Sequence, residues 1–200
     1  MQTYGTLLHV LLTLSAVLDV STTVEAPPAC LDVLKLAQRG STAELAIAID
    51  QLAPADTAKL LACEGPVKRT PLHFAALAGH ASTIRLMVGK GAVVDARERF
   101  GVTALMYASM NGHVAAIVAL IEQGADVKAF NHNHWTSLHY AARHEQLEAI
   151  KALLKHGADP KAVNRRQQLT PYRMAEYFEK QPAMALLEQL GATGEGSSGD

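Results

Sequence analysis

Short segments of the chain carry apolar residues at the spacing of an α-helix, and a glycine follows each of them. This spacing places the apolar side chains on one face of a helix. The glycines, Gly91, Gly124 and Gly157, suit the left-handed residue that ends a helix. The pattern predicts three similar amphipathic helices, whose apolar positions are Ile84, Leu86, Met87 and Val88, then Ile117, Val118, Leu120 and Ile121, then Ile150, Leu153 and Leu154.

These helices belong to a repeat of about 33 residues. Thr70, Thr103, Thr136 and Thr170 are 33, 33 and 34 residues apart, and the closing glycines keep that spacing through Gly191. Each threonine begins a similar sequence motif: Thr-Pro-Leu-His-Phe-Ala-Ala, Thr-Ala-Leu-Met-Tyr-Ala, Thr-Ser-Leu-His-Tyr-Ala-Ala and Thr-Pro-Tyr-Arg-Met-Ala. Threonine can cap the N-terminus of a helix, and proline suits its first position. Each repeat is therefore predicted to contain a second short helix that starts after the threonine.

These motifs, with Gly-His at Gly79 and Gly112 and Gly-Ala-Asp at Gly124 and Gly157, resemble the ankyrin repeat from about residue 65 to residue 192. The resemblance implies an all-α solenoid of stacked helix-turn-helix units with projecting β-turns. The units are expected at about 68–100, 101–133, 134–167 and 168–192, and the last is a C-terminal cap. In the third unit Glu145 replaces the glycine that follows the first helix. A residue other than glycine in the left-handed conformation expected there costs about 1 kcal/mol.

Different structures are expected at the two ends of the array. Residues 27–64 are predicted to form N-terminal capping helices and a long connection, with a short helix near 56–61. The stretch 193–200 is rich in glycine and serine, which predicts a disordered tail.

An apolar stretch over 7–20 precedes the small-x-small pattern Val24-Glu25-Ala26. This combination predicts a signal peptide at 1–26 and an exported, periplasmic protein. The segment before the stretch has no Lys or Arg, and Pro27 follows the expected cleavage site. A buried helix in a cytosolic protein is the alternative.

Charge and composition exclude several classes of function. The chain has 18 Lys and Arg against 19 Asp and Glu, so no overall positive field favours nucleic acid. No apolar run reaches the roughly 18 residues that a membrane span needs. Nucleophile-elbow, phosphate-loop and zinc-helix motifs are absent from the sequence. We expect no enzymatic activity, no cofactor and a monomeric protein.

The cysteines and two of the histidines allow alternative interpretations. Cys30 and Cys63 can form a disulfide if the protein is exported, or remain two buried thiols. His132 and His134 alternate on a predicted turn and could face a metal, although no Cys, Asp or Glu lies beside them. We expect no metal site and favour a partner contact or a solvated turn.

The resemblance implies that turn tips and first helices line a concave surface that binds another protein. Several arginines fall there, including Arg97 and Arg165, as does the only tryptophan, so we expect a mildly basic, aromatic groove suited to an acidic partner. The expected role is an inhibitor, an immunity protein or a stress-protective partner. The alternatives are a cytosolic ankyrin scaffold and a metal- or redox-linked periplasmic protein. The predicted partner-binding residues are Arg99, Phe100, Val102, Met110, Asn111, His132, Asn133, Trp135, Arg143, His144, Arg166, Gln167 and Tyr177.

Overall fold

The structure, a computed structural model, describes residues 28–193. The predicted signal peptide lies outside this range, and so does the predicted tail apart from Thr193. Eleven α-helices and no strand occur in the described range, which confirms the all-α prediction. None of these helices is long and apolar enough to cross a membrane. The helices are α1 (Pro28–Arg39), α2 (Thr42–Asp50), α3 (Pro54–Leu61), α4 (Pro71–Ala78), α5 (Ala81–Gly89), α6 (Ala104–Met110), α7 (Val114–Glu122), α8 (Ser137–Arg143), α9 (Leu147–Lys155), α10 (Pro171–Tyr177) and α11 (Gln181–Gln189).

The helices form antiparallel pairs that stack in two rows. The first row runs α1, α4, α6, α8, α10, and the second row runs α2, α5, α7, α9, α11, with each helix packed on the next. Alanines with no exposed surface, such as Ala75 and Ala108, let helices of the first row approach closely. The core between the rows contains Leu45, Leu72, Ile84, Met87, Leu105, Ile117, Leu120, Leu138, Ile150 and Leu153. Each pair shares this core with its neighbours, so the units stabilise one another.

A buried histidine joins the start of a first-row helix to the next unit. The Nδ1 atom of His73 accepts from the Thr70 amide at 3.1 Å and lies 2.9 Å from the Thr70 hydroxyl. Its Nε2 therefore carries the proton and donates to the Val102 carbonyl at 3.1 Å. His139 repeats this arrangement with Thr136 and the Leu169 carbonyl. Burial lowers the pKa of both histidines, which favours the neutral form that these bonds require.

The corner between the two helices of a pair requires glycine for two reasons. Gly79 has a φ of +82°, a conformation that side chains disfavour. The imidazole of His113 from the following unit also lies so close that a Cβ on Gly79 would be 2.7 Å from its Cγ. That imidazole contacts the Leu77 carbonyl through Nε2 at 3.1 Å. Glu145, at the corresponding corner of the third unit, also has a positive φ of +57°, so the chain accepts the strain there.

Successive turns are joined by main-chain hydrogen bonds. The amide of Arg99 donates to the Val67 carbonyl at 2.9 Å. The same bond recurs 33 residues later, from His132 to Phe100 at 3.1 Å, and again from Arg165 to Asn133 at 3.0 Å. We call these three bonds the turn ladder. They align the turns along one edge of the stack.

The connection after the N-terminal cap forms the first turn of this ladder. It includes the 3₁₀ turn Pro66–Lys68, in which Val67 and Lys68 have positive φ angles of +54° and +62°. A disulfide between Cys30 in α1 and Cys63, which follows α3, ties this connection to the cap, with the two Cα atoms 5.8 Å apart. The short helix expected near 56–61 is present as α3.

Candidate functional site

The first-row helices α4, α6, α8 and α10, together with the turns of the ladder, form one surface that we call the inner face. One charged residue of this face is Arg143, at the end of α8. The guanidinium carbon of Arg143 lies 5.1 Å from the ring centre of Trp135 and 4.4 Å from that of Phe178. Cation–π contacts on two sides hold this guanidinium in place before any partner binds.

A second arginine is held in a similar way near the other end of the face. Arg69 Nε donates to the Tyr107 hydroxyl at 2.9 Å, and its guanidinium carbon lies 4.8 Å from the centre of the Tyr107 ring. Burial raises the pKa of the Tyr107 phenol, so the arginine contacts a neutral ring. Neither Arg69 nor Tyr107 is among the residues predicted from the sequence to bind a partner.

Apolar side chains lie between the two arginines. Tyr107 packs in a small cluster with Met106 and Ala129, and Leu77, Met110 and Tyr140 cover that cluster while staying half-buried. The Tyr140 ring also lies 5.2 Å from that of Trp135. Tyr107 and Tyr140 occupy the same position in the repeated motif Thr-x-Leu-x-Tyr. Aligning the repeats and looking for aromatic residues at equivalent positions would have found both.

One polar residue organises each of the three turns that follow the first. Asn131 Oδ1 accepts from the amides of Asn133 and Trp135, both at 2.9 Å, while its Nδ2 donates to the Tyr140 hydroxyl at 2.9 Å. Asn164 Oδ1 accepts from the amides of Gln167 and Leu169 in the next turn.

Glu98 takes this position in the first complete turn and is only 3% exposed. Its Oε1 accepts from the amides of Phe100 and Val102, at 2.8 and 3.1 Å. Its Oε2 is buried and has no hydrogen-bond partner among the described residues. The Glu98 carboxylate is therefore part of the turn and not an exposed charge of the inner face.

The structure brings most of the predicted partner-binding residues to the inner face. Phe100 is 59% exposed at a turn tip and Tyr177 is 61% exposed at the end of α10. Trp135, Arg143 and Met110 are half-buried, which suits anchors that already have a fixed position. The remaining exposed ones are Arg99, Asn111, His132, Asn133, His144, Arg166 and Gln167.

Val102 is the exception, and its inclusion among the partner-binding residues is corrected. Its side chain is 8% exposed and packs against Met106 and Tyr107. Its amide donates to the Glu98 carboxylate, and its carbonyl accepts from the His73 imidazole. Val102 therefore links two units and offers no contact surface.

The two turn histidines lie in different surroundings. The ring of His134 lies 4.4 Å from the ring of Phe130, while the His132 ring lies against Gly101. Within residues 28–193, no three His, Cys, Asp or Glu side chains gather as metal ligands. Burial lowers the pKa of His144, and the charges of Arg143 and Lys180 lower it further, so its imidazole is neutral on this face near neutral pH.

Charges are distributed unequally between the two rows. Four ion pairs occur in the described part of the chain, and three of them lie on second-row helices or their ends: Arg85 with Glu122, Lys90 with Asp50, and Lys151 with Glu148. The fourth, Arg173 with Glu176, lies on α10. Neither Arg69 nor Arg143 pairs with a carboxylate of the described chain. The inner face thus presents two ordered guanidinium groups that lack an acidic partner within residues 28–193.

Comparison with protein families finds a match to the model described as "Ankyrin repeats (3 copies)". It matches twice, over residues 45–131 and 72–164, and these segments together cover more than half of the chain. Comparison with curated proteins finds no match for this chain.

Proposed function

Because the chain belongs to the ankyrin repeat family, we propose that it binds an acidic partner protein through the inner face. Ankyrin repeats generally mediate protein–protein interaction, and proteins built from them are typically not enzymes. The observation that supports this proposal best is the Arg143 guanidinium, which lies between Trp135 and Phe178 with no carboxylate of the described chain paired to it. Tryptophan, tyrosine and arginine are the residues that dominate binding energy at protein interfaces.

The order of the Arg143 side chain favours binding. A free arginine loses about 2 kcal/mol of rotamer freedom when it is fixed at an interface. The rings of Trp135 and Phe178 restrict this side chain in the unbound protein, so less of that cost falls on binding. A partner carboxylate would complete a charge-assisted hydrogen bond that residues 28–193 leave unmade.

We place the protein in an oxidising compartment, as an exported and periplasmic protein. Two sequence and structural features support this location. The Cys30–Cys63 disulfide is a bond that reducing cytosol disfavours. The sequence before Pro27 has the apolar stretch and small-residue pattern of an export signal. Occupation of an acidic surface on another exported protein is then the means by which it would inhibit or protect that protein.

Retention of a partner by matched variants tests the binding face. Full-length wild-type protein, Arg143→Ala and Arg85→Ala are immobilised separately and exposed to an extract of the cells that produce the chain. Arg85 is the control because it forms an ion pair in the second row. We expect one protein to be retained by the wild type and by Arg85→Ala and lost with Arg143→Ala, at unchanged melting temperature. Equal retention by all three would reject the inner face as the binding surface.

The location is tested by the intact mass of the chain from the same cells. We expect a chain that starts at Pro27 and contains no free thiol. A chain that retains its first residues and has two free thiols would instead favour a cytosolic scaffold.

A further inference from the structure

We propose that the inner face binds an extended acidic segment of its partner with the pattern acidic–x–apolar–x–acidic. This inference rests on the proposed function, because it specifies what the partner presents to the face. It depends on the two guanidinium groups of Arg69 and Arg143, which have fixed positions, lack carboxylate partners within residues 28–193 and lie on either side of an apolar strip.

The separation of the two arginines sets the spacing of the acidic residues. The guanidinium of Arg69 lies on Tyr107 of α6, and that of Arg143 lies between Trp135, before α8, and Phe178, after α10. Packed helices are about 8–10 Å apart, so the rings that hold the two groups are about one and a half helix spacings, or about 12–15 Å, from each other along the row. An extended chain advances about 3.3 Å per residue, which makes this separation about four residues.

A spacing of four residues also places both acidic side chains on the same side of an extended segment. Side chains i, i+2 and i+4 of an extended segment point to the same side, whereas i+3 and i+5 point away. Two carboxylates four residues apart can therefore reach both arginines from one strand. The side chain halfway between them would lie over Met110 and Tyr140, which are half-buried and cover the apolar cluster around Met106 and Tyr107. An apolar residue is expected at that position.

The two arginines are not equivalent. Glu98 acts electrostatically on both His73 and Tyr107, where Arg69 also acts, so part of the Arg69 charge is already compensated. Glu98 also acts on Tyr140, where Arg143 acts too, but two aromatic rings contact the Arg143 guanidinium and one contacts that of Arg69. The carboxylate at Arg143 should therefore contribute more to binding than the one at Arg69.

Synthetic peptides test the spacing directly. The main probe is a fluorescein-labelled peptide, Gly-Ser-Glu-Ser-Leu-Ser-Glu-Ser-Gly, titrated with full-length protein at low salt and followed by fluorescence anisotropy. Matched peptides have one serine fewer or one more between the glutamates, serine in place of leucine, or lysine in place of both glutamates. We expect the spacing of four to bind about tenfold more tightly than spacings of three or five, and the lysine peptide not to bind.

Variants of the protein assign each contact. Arg143→Gln should weaken binding of the main peptide about tenfold or more and Arg69→Gln by less, while Arg85→Gln should leave it unchanged. Arg143→Lys keeps the charge without the planar guanidinium, so it should bind at an intermediate level even if Arg143→Gln disturbs the fold. Melting temperatures measured in parallel show whether each variant is folded.

The two proposals fail in different ways. Affinity that is independent of glutamate spacing or of Arg69, or no binding of any peptide, would overturn the acidic pattern. Retention of a protein partner that still depends on Arg143 would then leave the proposed function intact. Retention that is independent of Arg143 would overturn both.

Discussion

The amide of Arg99 donates to the carbonyl of Val67 at 2.9 Å, and this bond makes the connection after the N-terminal cap the first turn of the ladder. The donor and acceptor recur in register, 33 and 66 residues later. Val67 and Lys68 adopt left-handed conformations to present this carbonyl, and a β-branched valine is strained there. The disulfide at Cys63 is therefore close to the segment that positions both Arg69 and Arg99.

Loss of the disulfide should destabilise the protein. Replacing Cys30 and Cys63 together with serine opens a 33-residue loop, which in the chain-entropy account costs about 3 to 4 kcal/mol. Urea denaturation of the double variant and of the oxidised wild type measures this difference. Wild-type protein kept in reductant is the control, because it should resemble the double variant. A change below about 1 kcal/mol would show that the cap is held by packing alone.

Acid should destabilise the protein through His73 and His139. Burial lowers the pKa of both below the unfolded value of 6.5, so the native state keeps them neutral while the unfolded chain takes up protons. Stability is then complete above pH 6.5 and falls as the pH decreases below it, by up to about 1.4 kcal/mol per pH unit for each histidine. Urea denaturation between pH 5.5 and 8 measures this slope.

A matched set of variants identifies the histidines responsible. The His73→Met/His139→Met variant should be less stable at pH 8, because two carbonyls lose their donors, but its stability should depend less on pH. Methionine is the natural choice, since Met106 occupies the same position in the second unit. His156→Gln, which removes an exposed histidine, should retain the wild-type slope. An unchanged slope in the double variant would contradict the assignment.

Two glycines with similar backbone angles should respond differently to alanine. Gly124 has a φ of +89°, and no atom of the described chain lies within 4 Å of the place that an added Cβ would occupy, so Gly124→Ala should cost only the backbone strain, about 1 kcal/mol. Gly79 has a φ of +82° and the His113 ring at 2.7 Å, so Gly79→Ala should cost about 1 to 3 kcal/mol more. Thermal or urea denaturation of the two variants gives the difference. Equal losses would mean that the imidazole moves away without cost.

Replacing Glu98 with glutamine should stabilise the protein. Glutamine Oε1 can still accept from the amides of Phe100 and Val102, and the change replaces a buried charge, whose Oε2 has no partner among the described residues, with a neutral amide. We expect a gain of about 1 kcal/mol in the free energy of unfolding. Glu98→Ala, which removes both acceptor bonds, should instead lose at least that amount. A less stable glutamine variant would show that the negative charge itself supports the turn.

Most of the fold was predictable because it depends on local chemistry that repeats. Threonine at helix starts, glycine at corners and apolar residues at helical spacing act within a few residues, and their 33-residue period indicated units that must stack. The same period placed Phe100, Trp135 and Arg143 on turns and first helices, where the structure has them. The position of a residue in the repeat therefore predicted its exposure, except where the contacts of one unit differ from those of the other units.

Those differences required the tertiary structure, because the repeat pattern does not show which side chains of a turn the packed units bury. Val102 looked like a turn residue available to a partner, but packing against Met106 and Tyr107 buries it. Glu98 is a charged residue of a predicted turn, but its buried carboxylate replaces the asparagine of later turns and accepts the main-chain bonds of its own turn. Arg69 had no distinguishing sequence context, since the ring that orders it is 38 residues away. The sequence alone determined which units stack; only the stacked units determined which arginines are held by aromatic rings.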